Sequence, residues 1–165
     1  MQQSITATLS LTEMFDNLTA TQLELVASIC EPLTLDNQNI IFKENDSSDE
    51  LYVIGRGTVE ILVNPSFVGG GDETHESVVI AELRQGQIIG EVALVDQGLR
   101  SATGRVSQNG TFMLRIPRDR LMLLCDTYPE LGYKIMKNLA ADLALKIRNT
   151  DLTVRQYQLM LSGQD

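Results

Sequence analysis

The sequence predicts a mainly β protein with flanking helices, and three observations carry that expectation. Short apolar runs rich in branched residues crowd the middle of the chain: LTLD, NIIFK, ELYVIG, TVEILV, SVVIAEL, TGRVS and TFMLRI. Turn signals separate them, namely DNQN (36–39), ENDSSD (44–49), GRG (55–57), RQGQ (84–87) and QNG (108–110). The two ends instead repeat apolar residues at helical spacing. Many short strands joined by short turns indicate a closed roll or sandwich. A chain of 165 residues is long enough for one domain with a real core.

Taken in order, the elements begin with a helix. Thr19 and Gln22 have capping-box spacing ahead of LELVASIC, and Pro32 is expected to end that helix. The strands follow. Between two of them lies NPSFVGGGDETHES (64–77), whose consecutive glycines suggest a mobile hairpin tip. No Lys-Ser/Thr and no helix follow those glycines, so they do not make a phosphate loop. GQII (86–89) reads as a short strand and EVALV as a single helical turn. From Pro117 the chain turns helical: a short helix over IPRDRLMLLCDTYPE, then a long one opened by Pro129. Met136, Ala140, Leu143, Ile147, Thr150, Val154, Tyr157 and Leu161 follow a 4-3 spacing, which predicts a coiled-coil seam and a homodimer. Leu145, Leu152 and Leu159 form a second stripe. Two stripes imply either a helix covered on two sides or a break at RNTD (148–151), with Asn149 or Thr150 as a new N-cap.

Composition narrows the class. Apolar residues make up 43% and charged residues 21%, as in an ordinary soluble globular protein. No apolar stretch approaches the roughly 20 residues that span a bilayer, so no membrane insertion is expected. The start lacks a basic segment followed by an apolar one, so no signal peptide is expected. Cys30 and Cys125 both sit in apolar runs and read as buried structural thiols, which points to a cytoplasmic protein. Net charge is −9 overall, and residues 131–165 are slightly basic, leaving −11 on residues 1–130. Such a surface repels phosphate backbones, so DNA is not an expected partner. An anionic ligand would have to be held by a local pocket.

The residues that could do chemistry point to binding rather than catalysis. His75 is the sole histidine, in the glycine-rich tip. A metal-dependent barrel enzyme needs two or three converging histidines, and a Ser-His-Asp or Cys-His arrangement would depend on that one loop residue. ENDSSDE lacks the spacing of a calcium loop. GEVALVDQGLRSAT (90–103) is different. Gly90 permits a tight turn and close approach of a ligand to backbone. The first N–H groups of the EVALV turn have no intrahelical partner and suit an anion. Arg100 is able to bind the same anion with its planar fork, while Ser101 and Ala102 leave room beside it. Glu91 would repel a phosphate unless it accepts hydrogen bonds from hydroxyls, which a ribose supplies. Composition alone leaves a second reading open, in which Arg100 pairs with Glu91 or Asp96 in a surface bridge.

GEVALVDQGLRSAT resembles the phosphate-binding cassette of cyclic nucleotide-binding domains, with Gly-Glu-aliphatic-Ala-Leu, a short loop, then Arg-small-Ala-Thr. IIFKENDSSDELYVIGRGTVEILV (40–63) is similar to that family's Phe-x-Glu-Gly-Asp turn and strand pair. TEMFDNLTATQLELVA and YPELGYKIMKNLAADLALKI resemble its opening and closing helices, so the likeness covers about residues 11–150. It implies a β-roll of jelly-roll type (a double-stranded β-helix) with N-terminal helices over residues 1–130, and a C-terminal helix over 131–165 serving as lid and dimerisation arm. It further implies a ligand, cyclic AMP or cyclic GMP, and no cofactor. Gly90 and Glu91 would meet the ribose 2′-hydroxyl and Arg100 the exocyclic phosphate oxygens. Backbone N–H groups near Ala93, Ser101 and Ala102 would complete the phosphate shell, with Val92 and Thr103 part of the same cassette. Val53, Ile89, Val92 and Leu94 would be core or pocket wall.

The chain departs from the family pattern in three places. Asn45 replaces the glycine of the Glu-Gly-Asp turn, a mild change because Asn tolerates positive φ. Gln38 replaces an earlier turn glycine and suggests an altered turn. Lys146 and Ile147 stand where catabolite-activator-type proteins read adenine with a Thr-Ser pair, so Ile147 would cap the base by apolar contact and Lys146 would meet a guanine carbonyl. Residues after 130 are taken up by the long helix, with no recognition-helix pair. The expectation is therefore a non-enzymatic, stand-alone sensor acting through an unidentified downstream protein. The rival is a non-binding dimeric scaffold of the same fold.

Overall fold

The computed structural model describes residues 4–47, 49–64 and 76–162. The glycine-rich tip and His75 lie outside the described residues. Among the described residues eight strands form: β1 (Glu31–Leu35), β2 (Ile40–Phe42), β3 (Glu50–Arg56), β4 (Val59–Val63), β5 (Val78–Leu83), β6 (Ile88–Ile89), β7 (Thr103–Val106) and β8 (Thr111–Pro117). They make two antiparallel four-stranded sheets, ordered β1-β8-β3-β6 and β2-β7-β4-β5. The chain passes repeatedly from one sheet to the other, as in a double-sheeted roll.

Strand β3 explains how the layers stack. ELYVIG does not alternate in burial; Leu51 to Gly55 are all buried. A strand reads this way when both faces of its sheet are covered. Leu51 and Val53 pack with Leu114, Ile116 and helical residues such as Leu9, Val26, Leu121 and Ile135. The intervening Tyr52 and Ile54 pack with Met113 and with Val59 and Ile61 of the other sheet. The first sheet is thus the middle layer, between helices and the second sheet. On the outside, the edge strand β5 exposes Val78, Val79 and Ile80.

The helices are α1 (Ile5–Ser10), α2 (Ala20–Ala27), α3 (Arg118–Thr127) and α4 (Pro129–Ser162), with short 3-10 turns at Glu13–Phe15 and Glu91–Leu94. The Thr19–Gln22 capping box forms: the Gln22 amide donates to Thr19 Oγ1 and the Thr19 amide to Gln22 Oε1. Pro32 does not stop that helix. It ends at Ala27 with Ser28 as C-cap, and Pro32 lies in β1, at a sheet edge where a missing N–H is tolerated.

Helix α4 runs unbroken for 34 residues, so RNTD is no interruption. The reason is local: Thr150 and Thr153 donate their hydroxyls back to the carbonyls of Lys146 and Asn149 and so act within the helix instead of capping a new one. Leu131, Ile135 and Leu139 are buried at i, i+4, i+8 spacing, with Met136 and Leu143 partly covered beside them. Beyond Leu143 the apolar residues of both stripes (Leu145, Ile147, Leu152, Val154, Tyr157, Leu159, Leu161) are exposed. No helix is long and apolar enough to cross a membrane among the described residues. Cys30 and Cys125 are buried free thiols, and burial pushes Cys30 up to about 12.

Candidate functional site

The second sheet, the 90–103 segment and the inner half of α4 enclose a cavity of about 710 Å³. Gly90 to Ala93 and Arg100 to Ala102 line it, as do Phe42, Leu139, Asp142 and Lys146. Thr103 and Ile147 do not line it.

The segment is built from β6 outward. Ile88 and Ile89 pair with Val53 and Tyr52 of the middle layer. Gly90 then turns at φ +83°, left-handed backbone that glycine adopts without cost. It also makes space, since a Cβ there would lie 2.2 Å from Arg100 Nη1 and 2.9 Å from the Glu50 carbonyl oxygen. Leu94 anchors the following 3-10 turn in the helical core. Arg118, the first residue of α3, donates from Nε to the Ala93 carbonyl at 2.6 Å and from Nη2 to the Leu94 carbonyl at 3.2 Å. The Ala93 amide donates to the Gly90 carbonyl at 3.1 Å, so it is used within the turn and is not a free phosphate donor. Among the described residues, the amides of Ser101 and Ala102 have no backbone acceptor.

Arg100 is 8% exposed. Its Nη2 donates to the Glu50 carbonyl at 2.6 Å, and its guanidinium lies over the Phe42 ring, 4.5 Å from the centroid. Nε is buried without a partner. No carboxylate pairs with it among the described residues, which overturns the surface bridge to Glu91 or Asp96. Burial pulls its pKa below the usual guanidinium range, opposed by Tyr52, Glu50, Asp49 and Asp46; the group nonetheless stays charged.

The acidic turn at 44–46 proves to be a clamp on Arg100. The Asn45 amide donates to the Arg100 carbonyl and the Arg100 amide to the Asp46 carbonyl, both at 2.8 Å. Thr103 belongs to this clamp, its Oγ1 accepting from the Glu44 amide at 3.0 Å. Gln38 and Asn45, the two departures flanking β2, both take left-handed backbone, at φ 71° and 69°. The turn at Gln38 is therefore kept, not altered. Gly104 completes the arrangement: a Cβ there would come within 2.7 Å of the Phe42 ring.

The other charge of the segment is paired. Glu91 is 7% exposed, and its Oε1 accepts from Lys146 on α4. Lys146 Nζ also makes an ion pair with Asp142 Oδ2 at 2.7 Å, a close contact short of an aligned hydrogen bond. Burial lowers the Lys146 pKa, but the neighbouring Asp142 and Glu91 carboxylates outweigh it and hold the ammonium above its ordinary value. Ile147 points away and is 62% exposed, so it caps nothing in this arrangement. Val92 is half-exposed at the rim, and Val53 and Leu94 are core.

Two roles escaped sequence reasoning. Phe42 as the shelf under Arg100 and the Glu50 carbonyl as its acceptor lie 58 and 50 residues away in the chain, a distance that local patterns do not bridge. The Lys146–Glu91 pair spans 55 residues, and only its opposite charges hinted at it.

A double-sheeted roll with a long closing helix, and a glycine-acid-arginine segment facing a cavity, define the architecture of a β-roll domain with a candidate ligand pocket. The Cyclic nucleotide-binding domain family model matches residues 32–128, and the chain belongs to that family. It is 29% identical over 139 residues to a cyclic AMP receptor protein of Thermus thermophilus, covering 84% of this chain and 59% of that protein. It is 31% identical over 101 residues to a cAMP-dependent protein kinase regulatory subunit of Dictyostelium discoideum, covering 61% of this chain and 29% of the relative. The fold superposes on a cyclic nucleotide-binding domain of Methylobacillus flagellatus with a TM-score of 0.75 at 23% identity, over 93% of this chain and 82% of that one. The chain thus spans less than two thirds of the length of these two relatives.

Proposed function

We propose that this chain is a sensor for a cyclic mononucleotide, cyclic AMP or cyclic GMP, and works by binding rather than catalysis. Arg100, with the amides of Ser101 and Ala102, takes the cyclic phosphate; Glu91 and Gly90 take the ribose 2′-hydroxyl. Val92 forms the rim, and α4 reports occupancy to a partner. The observation that carries this reading is Arg100. A guanidinium 8% exposed and without a carboxylate partner among the described residues is costly to keep in a fold, and a bound anion offsets that cost. The family membership and the relatives' names agree with a nucleotide phosphate as that anion.

Calorimetric titration with cyclic AMP, cyclic GMP and cyclic dinucleotides tests the reading. We expect saturable binding of a cyclic mononucleotide and its loss in Arg100→Ala with the circular dichroism spectrum unchanged. No heat from any of them at millimolar ligand would sink it.

The exposed seam from Ile147 to Leu161 supports a homodimer formed by α4. Light scattering is expected to give twice the monomer mass, and a monomer at high concentration removes the claim.

A further inference from the structure

A carboxylate beside a phosphate is an electrostatic problem, and Lys146 offers the answer. Glu91 is buried, lies on the same segment as Arg100 and faces the same cavity. Its Oε1 is held by Lys146, which leaves Oε2 to accept from a ligand hydroxyl. The ammonium offsets part of the negative charge of Glu91 and Asp142 where the ligand's anion would feel it. Asp142, one turn earlier on α4, holds Lys146 in place at 2.7 Å.

The position of Lys146 along α4 adds a second consequence. Leu143 is the last residue of the helix that packs on the core. After it, Lys146 makes the helix's last side-chain hydrogen bond to the body among the described residues; the hydrogen bonds of Thr150, Thr153 and Ser162 all stay within the helix.

We infer that Lys146 is a positioning residue for the ligand hydroxyl: it orients Glu91 and offsets its charge so that a ribose hydroxyl and a phosphate bind side by side, and it makes affinity depend on where α4 sits. The inference rests on the cyclic nucleotide reading above and names how that site is coupled to the helix. Reciprocity follows, because a helix that strengthens binding is itself held by the ligand.

Two measurements on the full chain test this. The first compares the cyclic nucleotide that binds wild-type protein with its 2′-deoxy analogue, in wild type, Lys146→Met and Lys146→Arg. We expect Lys146→Met to weaken the parent nucleotide by about tenfold, as for loss of a partly buried charge-assisted bond. It should also shrink the preference over the deoxy analogue, and Lys146→Arg should restore part of both. The second is hydrogen exchange. Nucleotide should slow exchange over residues 140–150 in wild type, and in Lys146→Met should protect 90–103 but not the helix. Unchanged or tighter binding by Lys146→Met, or equal helix protection in both proteins, overturns the role of Lys146 while leaving the nucleotide reading intact. If wild type binds no nucleotide, the nucleotide reading fails and this inference falls with it.

Discussion

The middle sheet and the outer sheet of this roll are built to different standards. The middle sheet is buried on both faces at its central strand β3, and β3 and β8 supply residues with no exposure at all, including Leu51, Val53, Leu114 and Ile116. The outer sheet exposes β5 and carries, on β2, the Phe42 ring beneath a buried cation. Of the three described non-glycine residues in left-handed backbone, Gln38 and Asn45 sit on either side of β2, and Asn17 lies among the N-terminal helices. Left-handed backbone, exposed apolar residues and a buried cation therefore gather in and around the outer sheet, while the most completely buried residues belong to the layer behind it.

That contrast can be broken by mutation. Leu114→Ala, in the middle sheet, is expected to cost about 2–5 kcal/mol of unfolding free energy, read by urea denaturation. A cost below 1 kcal/mol would show that the middle layer is not the main source of stability. Gln38→Gly should move in the opposite direction and stabilise by about 1 kcal/mol, since glycine removes the penalty of left-handed backbone. If it destabilises instead, the Gln38 side chain contributes more than its backbone costs. Smallest of all, the Arg100→Ala variant that loses ligand should keep its thermal midpoint within a few degrees, because it deletes a charge with no anionic partner in the fold. Outright unfolding would make Arg100 a structural residue.

The division also separates what was legible in the sequence from what was not. Local signals stood up: the strand runs, the Thr19 capping box, the Gly90 turn and the two buried thiols are each set by neighbours within a few residues. Helix α1 did not announce itself, because ITATLS is too short and too rich in β-branched residues for a periodic signal. Pro32 misled because a proline is equally at home on a sheet edge. The surroundings of Arg100 were hidden for another reason. Its shelf, its acceptor and its backbone clamp come from β2, β3 and the 44–46 turn, and only the closed roll brings them together. Lys146 was read as a contact for the base, whereas the fold places it on Glu91.

The unbroken course of α4 has a mechanical meaning. From Leu143 to Ser162 the helix reaches about 28 Å at 1.5 Å per residue. On the proposed reading it would serve as a lever whose fulcrum is the last packed turn, with Lys146 just beyond. A tilt of about 10° at that fulcrum would carry the far end about 5 Å by the same rise per residue, a stroke the size of one helical turn. An event as small as a hydroxyl arriving at one carboxylate would then be readable at the tip by anything that grips it there.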